Sequence, residues 1–296
     1  MSNNILVIGA QNIDIFSDAI TPYNLHDSNP SKIHMAFGGV GRNIAANLKR
    51  LGNNVSFLTV FGDDHFSALA KIALDELQIH ISESLHVSNQ SNSIYMGIMQ
   101  NDDLYLGLND MDIVDRLNID FFISKEHYIN SFEHIVIDNN LSQEVIEYLV
   151  QTYKNKNIYM DAVSAHKVHK IKGSIQNITV LKLNHLEATT LTNEQSITQA
   201  ITNLQAKTDN TILITNQHNQ INIIKHNTIS TITPNKVTNI INASGAGDAF
   251  ISGYIHGVVN HFTHDQSLQI AMKSASITLK DQNSTSENLS IEEVLK

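Results

Sequence analysis

Asn242-Ala243-Ser244-Gly245-Ala246-Gly247-Asp248-Ala249-Phe250 is the stretch on which the reading of this chain turns. Glycines at 245 and 247 let the backbone approach a ligand with no Cβ in the way. The apolar residues that follow, Ala246 to Asn260, predict a helix. Its first N–H groups and its dipole would then converge on one spot, an arrangement that holds a phosphate and its developing negative charge. Asp248 falls in the first turn beside that spot, where a carboxylate can accept a proton from a substrate hydroxyl. Phosphoryl transfer needs mainly positioning and charge stabilisation, so one base and one anion hole suffice for it. Taken alone, the same residues also describe an ordinary glycine-rich helix start with an acid favoured by the dipole. The surrounding sequence decides between the two.

The 296 residues are 42% hydrophobic, enough for one large core, and a single domain over 1–296 is expected. Only 16% are charged, which argues against charge-driven disorder. The formal net charge is -10, so no basic face for nucleic acid is expected. The absence of cysteine excludes disulfides, thiolate catalysis and zinc–thiolate sites. No run approaches the roughly 18 apolar residues of a membrane span, and the opening run Ile5-Leu6-Val7-Ile8 lacks the form of a signal peptide. A cytoplasmic protein is the expectation. His166 and His169 lie three apart but have no third ligand at a matching spacing, and read as solvent-facing.

Strand and helix signals alternate along the chain. Strands are predicted at Ile5–Gly9, Val55–Val60, His134–Asp138, Ile158–Asp161, Val180–Leu183 and Thr211–Thr215, with two more within 220–233. Helices are predicted at Gly41–Leu51, His65–Leu77, 142–153, 196–207, Ala246–Asn260 and Asp265–Lys280. Such alternation argues a mostly parallel sheet covered by helices on both faces, with ligands at the carboxyl ends of the strands. Two extended stretches, about 13–37 and 91–110, interrupt the rhythm. They are predicted to pair into a small sheet standing apart as a lid.

With this context the glycine turn resembles a family signature. Ser244-Gly245-Ala246-Gly247-Asp248, then Phe250 and Gly253, is similar to the C-terminal signature of the ribokinase/PfkB-like kinases. Gly38-Gly39-Val40-Gly41-Arg42-Asn43-Ile44-Ala45, with Asn47-Leu48 and Leu51-Gly52, is similar to their N-terminal one, some 200 residues upstream. Gly9 to Asp14 fits as well. Asp27 to Ile33, Asn109-Asp110-Met111, Val163-Ser164-Ala165 and Leu186-Glu187-Ala188 together resemble the bacterial pseudouridine kinase branch. The resemblance covers nearly the whole chain. It implies a ribokinase-like three-layer α/β/α fold and transfer of phosphate from ATP, with Mg²⁺, to the 5′-hydroxyl of pseudouridine.

The same resemblance distributes roles. Asp248 would be the base, and Gly245, Ala246 and Gly247 the anion hole. Asn12 and Asp14 would bind the ribose hydroxyls, Gly38 and Gly39 would let the backbone pass close to the sugar, and Asn43 would bind it. Vicinal hydroxyls call for carboxylate and amide partners, whose loss of a mate rejects analogues. Asn29, Lys32, Asn109 and Asp110 are candidates for reading the base, with polar turn residues in solvent as the alternative. Arg42 is open between a phosphate, the base and an acidic neighbour. Asn140 is a further sugar-contact candidate. Lys182-Leu183-Asn184-His185-Leu186-Glu187 resembles the family's Lys-Pro-Asn-x-x-Glu segment, so Lys182 and Asn184 would reach the ATP phosphates and Glu187 would organise Mg²⁺ through water. Thr215 and Gln217 would lie along the nucleotide. A homodimer through the lid is expected.

Three departures stand out. Leu183 and Ala162 replace prolines, which affects loop stiffness more than chemistry. The turn after Thr215 reads Asn216-Gln217-His218-Asn219-Gln220, without the family's glycines, which implies another path or weaker ATP binding. Asn242 stands where monovalent-cation sites of the family carry Asp. Asn242 and Ser244 still offer oxygens for K⁺, but a requirement for it is not implied. Two other readings stay open: a ribokinase-like kinase of ribose or an ordinary nucleoside, and a nucleoside-binding sensor with little turnover.

Overall fold

Neighbouring residues of the central strands belong to different cores. In the computed structural model, which describes residues 4–101, 103–216 and 220–296, Leu6 and Ile8 of the strand Asn4–Ile8 join one apolar cluster with Ile135, Ile137, Ile158, Met160, Leu181 and Ile212. Ile5 and Val7 join a second cluster with Val136, Tyr159, Val180 and Leu213. Side chains alternate across a strand, so an unbroken apolar run means burial on both faces. Helices Gln143–Thr152, His185–Thr192 and Ile197–Gln205 cover the first face. Helices Val40–Arg50, His65–Glu76, Ala246–Val259 and His264–Thr278 cover the second. The result is the expected three-layer α/β/α fold.

Among the described residues the large sheet has eight strands, in the order Thr228–Ile232, Ile221–Lys225, Thr211–Thr215, Val180–Asn184, Asn157–Asp161, His134–Asp138, Asn4–Ile8 and Asn54–Leu58. The last six run parallel. The first two form a hairpin antiparallel to the strand beside it. Segments 13–37 and 91–110 form a separate four-stranded sheet. Its order is Ser31–Gly38, Asn12–Ala19, Ile94–Gln100 and Asp103–Asp110. The short helices Ile119–Ser124 and Glu126–Asn130 have no counterpart in the predicted elements. Six and five residues give too few turns for a 3.6-residue period to show.

The two sheets are joined at the carboxyl end of the large one by Asp138, which is fully buried. Its Oδ2 accepts from the backbone N–H of Ala10 and of Gly41, both at 2.8 Å, and its Oδ1 from that of Asn140 at 2.7 Å. Gly41 permits this approach, because a Cβ there would lie 2.7 Å from Oδ2. Burial raises the Asp138 carboxyl, and the three N–H donors oppose that rise. Asp138→Ala leaves three amides without their acceptor, each worth about 1–3 kcal/mol when buried. Its urea midpoint is expected to fall by the equivalent of about 3 kcal/mol or more.

Candidate active site

The lid hairpin delivers the first half of the site. Asn12 pairs with Gly38 and Asp14 with Ala36 across the hairpin. Asn12 donates through Nδ2 to Asp14 Oδ1 in a short bond. A side chain at residue 38 would overlap the Asp14 carboxylate, and one at residue 39 would meet Ala10 O at 2.7 Å and Asn12 Oδ1 at 2.8 Å. Gly39 has φ of 93°, a conformation that favours glycine. The two glycines thus let the chain turn into the helix Val40–Arg50 while pressed against Asn12 and Asp14. Burial pushes the Asp14 carboxyl up to about 6, against the pull of the Asn12 bond and the Arg42 charge.

The second half is the turn at 245–248. Gly245 caps the helix Ala246–Val259 with φ of 76°. Asp248 follows in its first turn, 8% exposed. Asn43 Nδ2 donates to Asp248 Oδ2 at 2.9 Å, which joins the two halves. Lys182 Nζ lies 3.0 Å from Asp161 Oδ2, both side chains buried. The ammonium abuts the turn, since a Cβ at Gly247 would meet it at 2.7 Å. Burial pushes the Asp248 carboxyl up to about 7, helped by the Asp161 charge and opposed by the Asn43 bond and Lys182. Burial disfavours the Lys182 ammonium, but the charges of Asp161 and Glu187 outweigh it and raise the lysine. Beside this turn opens a cleft of about 740 Å³, with Lys182, Asn184, Thr215 and Gly247 at its polar end and Ile221, Val237, Phe250, Met272 and Leu279 along its apolar walls.

Comparison with known proteins gives the family and the fold. Residues 2–291 match the profile of the pfkB family carbohydrate kinases. The chain belongs to the pfkB family. Among curated pfkB-type relatives, the pseudouridine kinase of Escherichia coli (strain K12) is 27% identical over 297 residues, 98% of this chain and 95% of the relative. A carbohydrate kinase from Agrobacterium tumefaciens superposes with a TM-score of 0.86 at 24% identity, covering 100% of this chain and 96% of that one. Arabidopsis thaliana ribokinase, solved with ribose and ATP, superposes with a TM-score of 0.86 at 17% identity, over 100% and 99% of the two chains. Both structures share the ribokinase-like fold.

The remaining candidates of this pfkB chain fall in different places. Arg42 is 7% exposed and donates through Nη1 to Phe37 O (3.3 Å), Asn43 Oδ1 (3.4 Å) and Thr285 Oγ1 (3.2 Å). Its guanidinium lies 5.7 Å from the Phe37 ring centre. Among the described residues no carboxylate is within ion-pair distance of it. Burial, and then the Arg50 charge, push Arg42 down to about 10. Asn29 closes its own loop, accepting from Asn24 N–H and donating to the Asn24 and Asp27 carbonyls. Lys32 is exposed and lies four residues along its strand from Ala36, about 13 Å away. Asn109 is in register with Tyr95 and hence with Asp14, whereas Asp110 belongs to the alternate row with Ile94 and Ile13. Asn140 accepts from Lys167 Nζ at 2.5 Å. Gln217 lies outside the described residues.

Glu187 is 1% exposed and completes a capping box. Its Oε2 accepts from Asn184 N–H at 2.7 Å and its Oε1 from Asn184 Nδ2 at 2.8 Å. Burial raises its carboxyl, and Lys182 lowers it. Asn242 Oδ1 accepts from Ser244 N–H at 2.9 Å, while its Nδ2 donates to Gln282 O at 2.8 Å.

Several residues of this site were not among the sequence candidates. Asp161 and Asp138 end their strands, and a strand-ending acid carries no motif of its own. Phe16 and Tyr95 share the face of Asp14 in the lid, because the register pairs Asp14 with Tyr95 and Phe16 with Gly97. Their rings are 6.1 Å apart, and His34 stacks on Phe16 at 5.3 Å. Glycine faces both rings: a Cβ at Gly97 would meet Phe16 at 2.7 Å, and one at Gly107 would meet the Tyr95 hydroxyl at 2.9 Å. Two glycines beside aromatics at lid spacing were the available signal.

Proposed function

We propose that this chain is an ATP-dependent kinase that phosphorylates the 5′-hydroxyl of pseudouridine. One observation carries the kinase chemistry: the Asn43–Asp248 hydrogen bond, which brings the hydroxyl-binding hairpin and the anion turn to one carboxylate. The aromatic row Phe16, His34 and Tyr95 on the Asp14 face supports a nucleoside over a bare sugar, since a nucleobase stacks on aromatic faces and ribose does not. The likeness to the Escherichia coli pseudouridine kinase, together with segments 27–33 and 109–111, supports pseudouridine among nucleosides.

In this reading Asn12 and Asp14 hold the ribose 2′- and 3′-hydroxyls and leave the 5′-oxygen beside Asp248. The carboxylate takes the hydroxyl proton as the oxygen forms its bond to the γ-phosphorus. The bond from the γ-phosphorus to the bridging oxygen breaks, and ADP leaves with that oxygen. The N–H groups of Gly245, Ala246 and Gly247 face the transferring group, and Lys182 offsets its charge from the other side. Lys182, Asn184 and Thr215 lie along the nucleotide, with the base in the apolar part of the cleft. Among the described residues no group of three or more His, Asp or Glu side chains encloses a metal. Mg²⁺, which keeps several waters and arrives with the phosphates, would neutralise phosphate charge; Glu187, with both carboxylate oxygens bound by Asn184, would act on it through the position of that residue.

A second copy of the chain is the partner this reading assigns to the lid. Met35, Ile15, Met96 and Leu108 form one row across all four strands, on the face opposite Asp14. Ile33 is 73% exposed and Leu108 50%. A two-fold copy presents the same rows and covers both patches. Light scattering should give about twice the 32.9 kDa chain mass.

The substrate is tested by ADP release with pseudouridine, uridine, inosine and ribose as acceptors. The expected order puts pseudouridine first in kcat/KM, by about tenfold or more over uridine. Equal rates on ribose would assign a sugar kinase, and nucleoside binding without ADP release would assign a sensor.

A further inference from the structure

The turn that carries the anion hole is fastened to the segment following the helix His264–Thr278. Ile241 and Asn242 both direct their backbone N–H at Leu279 O, at 2.9 and 3.4 Å. Gly245 packs so closely on Ser284 O that a Cβ would overlap it. The Asn242 side chain completes the fastening, with its amide N–H on Gln282 O and its amide oxygen on Ser244 N–H. Both partners are backbone groups of fixed polarity, so only one orientation of the amide satisfies them.

The same place is where kinases of this type are expected to hold a monovalent cation, and the residues present do not fit one. A cation there needs oxygens free to face it, and a negative side chain among them would help to balance its charge. Residue 242 presents an N–H donor to the Gln282 carbonyl instead, and its one oxygen is already bound by Ser244. We propose that the Asn242 amide replaces the cation as the tie between the anion turn and the C-terminal segment, so that the enzyme works without K⁺. Asn242 is a positioning residue in this role. A carboxylate at 242 would confront the Gln282 carbonyl with no donor between them, and would call for a cation to bridge the two.

The proposal rests on the kinase reading for its activity arm, so it carries a second arm that needs no turnover. Wild type, Asn242→Asp and Asn242→Ala are compared in potassium, sodium and tetramethylammonium chloride at equal ionic strength. Initial rates and thermal midpoints are both recorded. Wild type is expected to keep its rate within about twofold in all three salts and to show no K⁺-specific change in midpoint. Asn242→Asp is expected to lose about tenfold in tetramethylammonium and to recover in potassium, with a higher midpoint there. Asn242→Ala, which removes the tie without creating a charge, should lose rate equally in every salt. Stimulation of wild type by K⁺ of about fivefold or more, or a K⁺-specific rise of its midpoint, overturns the proposal. So does an Asn242→Asp variant indifferent to the cation. If no acceptor is phosphorylated, the kinase reading falls, and the melting comparison alone still decides whether Asn242 replaces a cation.

Discussion

Asp248→Asn is expected to cut kcat by about 10²-fold or more while leaving nucleoside affinity within a few-fold. The asparagine oxygen can still accept from Asn43, so the geometry of the two halves survives, but it cannot take a proton. A rate near wild type would remove Asp248 from the role of base. The raised carboxyl adds a pH signature. Below pH about 7 the wild-type group is protonated in the free enzyme, so kcat/KM should rise with pH and level off above that value. The same shift bears on stability, and its sign is fixed. A carboxyl raised from 3.8 to about 7 on folding contributes stability that is fully present below 3.8 and is lost as pH rises through 7. At pH 8 the buried charge therefore burdens the fold, and Asp248→Asn should melt higher than wild type there, with the gap narrowing as pH falls through 7 and closing only near 3.8. A base that costs stability for the sake of reactivity is a familiar trade at active sites.

Gly245→Ala is the second large effect, with an expected loss of about 10²–10³ in kcat and a smaller change in KM. Two constraints combine at this residue. Its φ of 76° is strained for any L side chain, and the new methyl would overlap the Ser284 carbonyl, which is backbone and cannot swing away. The turn must move, and its N–H groups lose their aim. Gly247→Ala is the control, because its methyl would meet only the Lys182 ammonium, the far end of a flexible chain. The loss there should be clearly milder. Comparable losses in the two variants would mean that the aim of the turn is not what Gly245 protects.

Much of this architecture is legible in the chain itself. The strands His134–Asp138 and Thr211–Thr215 come out with the predicted limits because their apolar runs are bounded by polar residues. The glycine turn is legible because Gly245, with φ of 76° and the Ser284 carbonyl against it, leaves no room for another residue type. What the sequence hides is pairing at a distance. Asp138 reads as the polar end of a strand, and only the fold shows that it clamps amides 97 and 128 residues away. Asp161 is hidden in the same way until Lys182 is seen beside it. Asn184-x-x-Glu187 reads in the sequence as a phosphate and Mg²⁺ segment, and the structure shows that it is also a capping box occupying both carboxylate oxygens. Phe16 and Tyr95 look like ordinary strand aromatics until the register sets them beside Asp14.

Asn43 and Asp248 are 205 residues apart, yet one hydrogen bond closes the site between them. A chain emerging from the ribosome therefore completes the hairpin and most of the parallel sheet long before its base is in place. Contacts of such long sequence separation form late, because the loop they close must first be ordered. On the kinase reading, partly folded forms would hold one half of the site without the other, and catalytic competence would report that both ends of the polypeptide have found each other.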